Sequence, residues 1–121
     1  MGLRIECVSI DAVDPEALGR FWAEALGWED RMDEDGDVWV EPGEGHVLRG
    51  RCAPLLCIAV PDDKRSKNRL HLDLVPDDQE VEVERLLALG ASKPDIGQSG
   101  TESWVVLADP EGNEFCVLDE I

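Results

Sequence analysis

Laid over itself with a shift of 64 residues, the chain matches itself, and this duplication restricts the fold more than any figure of composition. Val8 and Ile10 fall on Leu72 and Leu74, and Asp14 falls on Asp78. With one residue dropped, Leu26-Gly27 falls on Leu89-Gly90, and at a shift of 65 Trp39-Val40 falls on Trp104-Val105. The charge divides evenly too: residues 1–66 carry 15 acids and 7 bases and residues 67–121 carry 13 and 4, giving −8 and −9. The chain reads as two copies of one supersecondary unit.

The first copy opens with an alternating, β-branched stretch, Arg4 to Asp11, which predicts a strand. Asp14 then offers an N-cap and Pro15 a first helical residue. Leu18, Phe21, Trp22, Ala25 and Leu26 make one apolar stripe, and Gly27 supplies the stop. Strands are expected at Trp28–Met32, at Asp37–Glu41 with a continuation at His46–Arg49, and at Pro54–Val60. The second copy repeats this with a strand at Arg69–Val75 and a helix from Asp78 to Leu89 closed by Gly90. Strands follow at Ala91–Pro94, Ser103–Ala108 and Glu114–Asp119. Asp109-Pro110-Glu111-Gly112 has the residues of a type I turn, so the last two strands should form a hairpin. The expected fold class is α+β: one domain over 1–121, made of two tandem βαβββ modules at about 1–60 and 69–121 with a linker at 61–68.

Composition closes off several function classes. At 121 residues one domain is expected, and 43% hydrophobic residues can build a core despite a formal charge of −17. So acidic a chain repels phosphate backbones, and its largest basic cluster is Lys64, Arg65, Lys67 and Arg69, so no nucleic-acid partner is expected. The longest apolar run, Leu55–Val60, is far below the roughly 20 residues of a membrane span, so no membrane partner is expected. Met1 to Cys7 lacks the apolar segment of a secretory signal, and the expected location is cytoplasmic. There Cys7, Cys52, Cys57 and Cys116, which form no CxxC pair, are expected as free thiols. Gly-rich phosphate loops, a dinucleotide fingerprint and a GxSxG elbow are all missing from the sequence.

Alternation along the strands selects the candidate site. Val8 and Ile10, like Leu72 and Leu74, should face the helices. The opposite face then carries Cys7, Ser9 and Asp11 from one module and Arg69, His71 and Asp73 from the other. Polar groups buried there without partners would cost roughly 1–3 kcal/mol each, so a solvated or ligand-filled groove is the economical arrangement. Trp39 and Trp104 hold matching places in the repeat, as aromatic walls or as packing, and Trp22 belongs to the core. His46, beside Gly45, is expected at the surface.

Asp14-Pro15-Glu16 before a helix ending Ala25-Leu26-Gly27, the stretch Asn68-Arg69-Leu70-His71-Leu72-Asp73-Leu74, and Trp104 to Leu118 with its Asp109-Pro110-Glu111-Gly112-Asn113-Glu114-Phe115 together resemble the vicinal oxygen chelate superfamily, the glyoxalase and bleomycin-resistance fold. Nearly the whole chain is covered. The resemblance implies paired modules curled around a shared cleft, a fold whose members close it within one chain or across a homodimer. It also implies that metal-dependent members place His, Gln or Glu ligands at the positions of Cys7, His71, Cys116 and either Cys57 or Ile58. Only His71 keeps a usual ligand type, and Cys116 replaces the usual Glu.

The expected function is therefore binding of a small organic molecule without the divalent-metal quartet, so no cofactor is predicted. In its enzymatic form this is isomerase- or lyase-type proton chemistry with His71 as acid or base, Asp73 orienting it and Arg69 holding an anionic group. The remaining ligand-binding candidates are Cys7, Ser9, Trp39, Trp104 and Cys116. One alternative is capture of a cationic drug with no bond changed. Another is a metal-binding variant built from Cys7, Cys57, His71 and Cys116.

Overall fold

Each copy of the repeat folds onto its own sheet. The computed structural model describes residues 2–95, 100 and 102–119 and divides into two compact units, Met1–Asp63 and Lys64–Ile121.

The first unit runs β1 (Val8–Ala12), α1 (Pro15–Leu26), β2 (Glu29–Met32), β3 (Val38–Glu41) and β4 (Leu55–Ala59). Its sheet has the order β1-β4-β3-β2, with β1 parallel to β4 and the other pairs antiparallel. α1 begins where the sequence signals it: the Asp14 carboxylate accepts the Ala17 amide at 3.1 Å, and Gly27 ends the helix at a left-handed φ of 70°. Register then sorts the side chains. Ile10 lies beside Cys57 and Cys57 beside Val38, while Val8 lies beside Leu55 and Leu55 beside Val40. This row faces α1, whose Leu18, Phe21 and Trp22 are buried over it. Ser9, Leu56 and Trp39 form the opposite row.

α1 approaches the sheet at Gly19, where a β-carbon would overlap Val38 Cγ1. A glycine inside a helix costs roughly 1 kcal/mol relative to alanine; here it permits the close contact.

Two expected strands of this unit are corrected. β1 starts at Val8 rather than Arg4, because its parallel partner starts at Leu55 and the preceding Pro54 has no N–H to extend the ladder. His46–Arg49 is a run of turns, with the His46 and Arg49 amides bonded to the Gly43 and His46 carbonyls at 3.0 Å each.

The second unit runs β5 (Asp73–Leu74), α2 (Gln79–Leu89), β6 (Val105–Ala108) and β7 (Glu114–Val117), in the sheet order β5-β7-β6. β5 pairs parallel with β7, and β6 pairs antiparallel. The topology is that of the first unit with the counterpart of β2 reduced to a single bridge. Asp78 caps α2 by accepting the Val81 amide. The hairpin turn closes as expected: the Gly112 amide bonds the Asp109 carbonyl at 2.8 Å, and the buried Asp109 carboxylate accepts the Glu111 and Asn113 amides.

Here too the sequence overestimates strand. Arg69–Val75 contracts to Asp73–Leu74, extended by the Cys116 amide to the Leu72 carbonyl at 2.9 Å and the Leu118 amide to the Leu74 carbonyl at 2.8 Å. Leu70 at its start is 89% exposed. Ala91–Pro94 supplies only one bridge, Ser92 to Ala108. In this sheet Leu74, Val117 and Val105 share the apolar row, whereas Asp73, Cys116 and Val106 share the other.

Gly19→Ala should lower stability by about 1–3 kcal/mol despite its better helix propensity, since Val38 is buried and has nowhere to move. Urea denaturation checks this, and a variant as stable as the parent would show that α1 and β3 are less closely apposed.

Candidate functional site

The polar row of the second sheet opens onto a pocket of about 450 Å³. His71, Asp73, Trp104 and Cys116 line it, as do Lys67 and Glu114. Val106, Phe115 and Leu118 supply apolar wall. Strand alternation points to His71 and Asp73, the repeat to Trp104 and the family resemblance to Cys116, and the register explains how they meet. Asp73 lies directly beside Cys116 across the parallel β5–β7 pair, and His71 stands two residues before Asp73 on the same side.

The closest pairing in the pocket is His71 Nδ1 to Asp73 Oδ1 at 2.8 Å. The two side chains are 44% and 47% exposed. At such exposure an ion pair contributes only about 0–1 kcal/mol, so the contact does little for stability and much for the direction of the ring. With Asp73 ionised, Nδ1–H donates to the carboxylate and Nε2 is left with a free lone pair. Beside them Cys116 is buried. Burial, then the charge of Asp73 and the hydrogen bond to it, push the Cys116 thiol above its ordinary pKa, with the Lys67 ammonium acting in the opposite sense. The thiol therefore stays protonated at neutral pH.

Glu114 is the residue that sequence reading missed. It is 5% exposed and heads β7, yet it is charged. Lys64 donates to Oε1 at 3.2 Å and lies 2.9 Å from Oε2, which is otherwise without a hydrogen bond. The Asn68 amide donates to Oε1 at 3.0 Å, and Asn68 Nδ2 to the Glu114 carbonyl at 3.1 Å. Burial alone would raise the carboxyl; the hydrogen bonds from Lys64 and Asn68 and the Lys64 charge outweigh it and hold the group below its usual range. Its partners lie 46 and 50 residues away, and no local pattern links them.

The other expected residues lie elsewhere. Arg69 is exposed and is not among the residues lining the pocket; Lys67 is the cation there. Asp73 pairs with His71. In the first unit Cys7 Sγ lies 3.7 Å from Ser9 Oγ. Trp39 is half-buried, its indole N–H given to Asp33 at 3.2 Å. Cys57 is 0% exposed on the face covered by α1.

Similarity to known proteins decides the family. A model described as a glyoxalase-like domain matches residues 7–118. The chain belongs to that family. Among solved structures, this glyoxalase-like domain is similar to a fosfomycin resistance protein, FosX, from Listeria monocytogenes, complexed with Mn(II) and a dihydroxypropylphosphonic acid: 14% identity, 100% of this chain and 93% of that one covered, TM-score 0.69. It is similar to a glyoxalase/bleomycin resistance protein/dioxygenase family enzyme from Burkholderia phytofirmans PsJN, at 18% identity, 96% and 98% coverage and TM-score 0.68. It also resembles a bleomycin resistance determinant encoded on transposon Tn5, at 16% identity, 98% coverage of both chains and TM-score 0.60. At these identities the likenesses establish the fold, that of the vicinal oxygen chelate superfamily. No curated protein matches the chain. Among the described residues, no helix is long and apolar enough to cross a membrane.

The four-ligand metal centre that the superfamily implies does not fit these residues. Cys57 points into the core under α1, and its neighbour Ile58 has no donor atom. Cys116 puts a thiol where a hard divalent ion would want a carboxylate.

Two outcomes test this site. Glu114→Gln should cost about 1–3 kcal/mol, because Lys64 is left largely buried without its counter-charge. Since the folded-state pKa of Glu114 is lowered, its stabilising contribution is full above the unfolded value of about 4.3 and disappears as pH falls through the folded one. Thermal melts should therefore separate parent from variant at neutral pH and converge in acid; curves parallel at every pH would refute the assignment. Asp73→Asn should speed alkylation of Cys116, followed by mass spectrometry with the exposed Cys52 as internal reference; an unchanged rate would remove Asp73 as a contributor, beside burial, to the raised thiol.

Proposed function

We propose that the pocket of the second unit binds a small organic molecule and that His71, held by Asp73, moves a proton on it. The observation carrying this reading is the 2.8 Å Nδ1–Oδ1 contact, set half-exposed in a 450 Å³ pocket with an apolar wall. Asp73 fixes the tautomer and stabilises the imidazolium once Nε2 has taken a proton, the division of labour that a carboxylate–imidazole pair offers any general base. Lys67 is the cation at hand for negative charge developing on a carbonyl oxygen, a role the sequence assigned to Arg69. Trp104, 45% exposed at the pocket, offers a flat surface for a planar ligand. Together these suit isomerase- or lyase-type chemistry on a carbon acid next to a carbonyl group. Four cysteines, none joined in a disulfide, suit a reducing, cytoplasmic setting.

A second reading, capture of a cationic drug without reaction, draws on the same Trp104 face and on a chain charge of −17. One series of experiments separates the two. Titration with neutral and cationic carbonyl compounds and with cationic glycopeptides should quench Trp104 fluorescence saturably, and Trp104→Phe should abolish the change. For a ligand that turns over, His71→Gln should lower kcat by about 100-fold or more with binding retained. Turnover surviving that substitution would exclude His71 as the base, and saturable binding of glycopeptides alone would leave capture as the function.

A further inference from the structure

The pocket of the second unit differs in charge at its two ends. Lys67 marks one: its ammonium donates to the Asn68 carbonyl at 3.3 Å, and Asn68 is itself bound to Glu114 at the start of β7. Glu102 and Trp104 mark the other: between them the Ser103 carbonyl accepts Gln79 Nε2 at 2.8 Å, and the same amide reaches the Val117 and Leu118 carbonyls at 3.2 Å each, which ties this segment to the far end of β7. We propose that the molecule bound here is a flat carbonyl compound carrying a protonated amine at the end remote from its carbonyl group, the oxygen directed to Lys67 and the ammonium to Glu102. This rests on the reading that the pocket is the ligand site, and adds to it the class of substrate and the residue that selects it.

Register sets the length of that molecule. Along β7 the pocket side carries Glu114, Cys116 and Leu118 in turn, with Asp73 beside Cys116 on the parallel neighbour. At roughly 3.3 Å per residue the levels of Glu114 and Leu118 stand about 13 Å apart, a span that two linked rings fill between carbonyl and amine. A cavity of about 450 Å³ accommodates such a body, and between its ends Val106 and Phe115 offer only carbon. Charge sets the direction. Two other carboxylates reach the pocket, but both are engaged near the head: Asp73 with His71 and Glu114 with Lys64. An ammonium therefore finds its counter-charge at Glu102, where the Gly100 amide fixes one carboxylate oxygen at 3.0 Å without adding charge. Trp104, lining the same end and 45% exposed, adds a ring face that attracts cations. The same molecule turned end for end would set its ammonium against Lys67.

Three probes that share one head and differ in the tail test this: 4-acetylbiphenyl, its 4′-aminomethyl derivative and its 4′-carboxylate. Each is titrated against the full chain by NMR, following the indole N–H signal that Trp104→Phe removes. The aminomethyl compound should bind at least about fivefold more tightly than the uncharged one and the carboxylate more weakly than either, the scale of one half-exposed ion pair with a cation–π contact. Glu102→Gln, which keeps an acceptor for the Gly100 amide, should erase that ranking, and Glu102→Lys should reverse it. Glu84→Gln, exposed on α2 and outside the pocket lining, should leave it intact, which separates a local carboxylate from the charge of the whole chain. Lys67→Met should weaken all three probes alike with the ranking kept. Equal affinities in the parent, a ranking that survives Glu102→Gln, or one that Lys67→Met abolishes would overturn the assignment while the pocket reading stands. Failure of all three probes to bind would overturn the pocket reading, and this inference with it.

Discussion

The second unit depends on one buried charge. Glu114 reaches back from the last strand to hold Lys64 and both the amide and the side chain of Asn68, the segment from which the chain enters the pocket strand. That strand has two residues of ladder and a few flanking bonds, too little to fix its own position. A carboxylate in a core is expensive unless charge and hydrogen bonds surround it. Here they do, and the position of Lys67 and His71 follows from the residues that satisfy it.

From that anchor the site is a matter of register. Parallel pairing sets Asp73 against Cys116, and period-two alternation brings His71, Val106 and Glu114 to the same side, while Val117 lies with Leu74 and Val105 in the opposite row. Slipping β5 by one residue would present Leu72 and Leu74 to the pocket and bury the acid. The same rule in the first unit sends Cys57 beneath α1. One geometric principle thus assembles three polar side chains in one sheet and withdraws a thiol in the other.

Much of the fold was legible locally. Asp14, Pro15 and Gly27 marked α1, Asp78 marked α2, and Asp109 to Gly112 marked the hairpin, since each signal acts within a few residues of itself. The repeat and its alternation pointed to His71, Asp73 and Trp104, and the family resemblance to Cys116. What stayed hidden depends on distant partners. The start of β1 waits on Pro54, the contraction of β5 on β7, and the burial of Glu114 on residues 46 and 50 positions earlier. Arg69 was chosen by alternation through a stretch that is not a strand, so its parity carried no information about facing.

The central claim is that Asp73 fixes the proton of His71 on Nδ1. His46 offers an internal contrast, because its Nδ1 accepts the Leu48 amide at 3.0 Å and its proton must therefore sit on Nε2 in the neutral ring. Nitrogen NMR of the metal-free protein, with both rings neutral, should find the two histidines in opposite tautomers, His71 carrying its proton on Nδ1. In Asp73→Asn that preference should vanish while His46 stays unchanged; a His71 ring protonated on Nε2 in the parent protein would contradict the account.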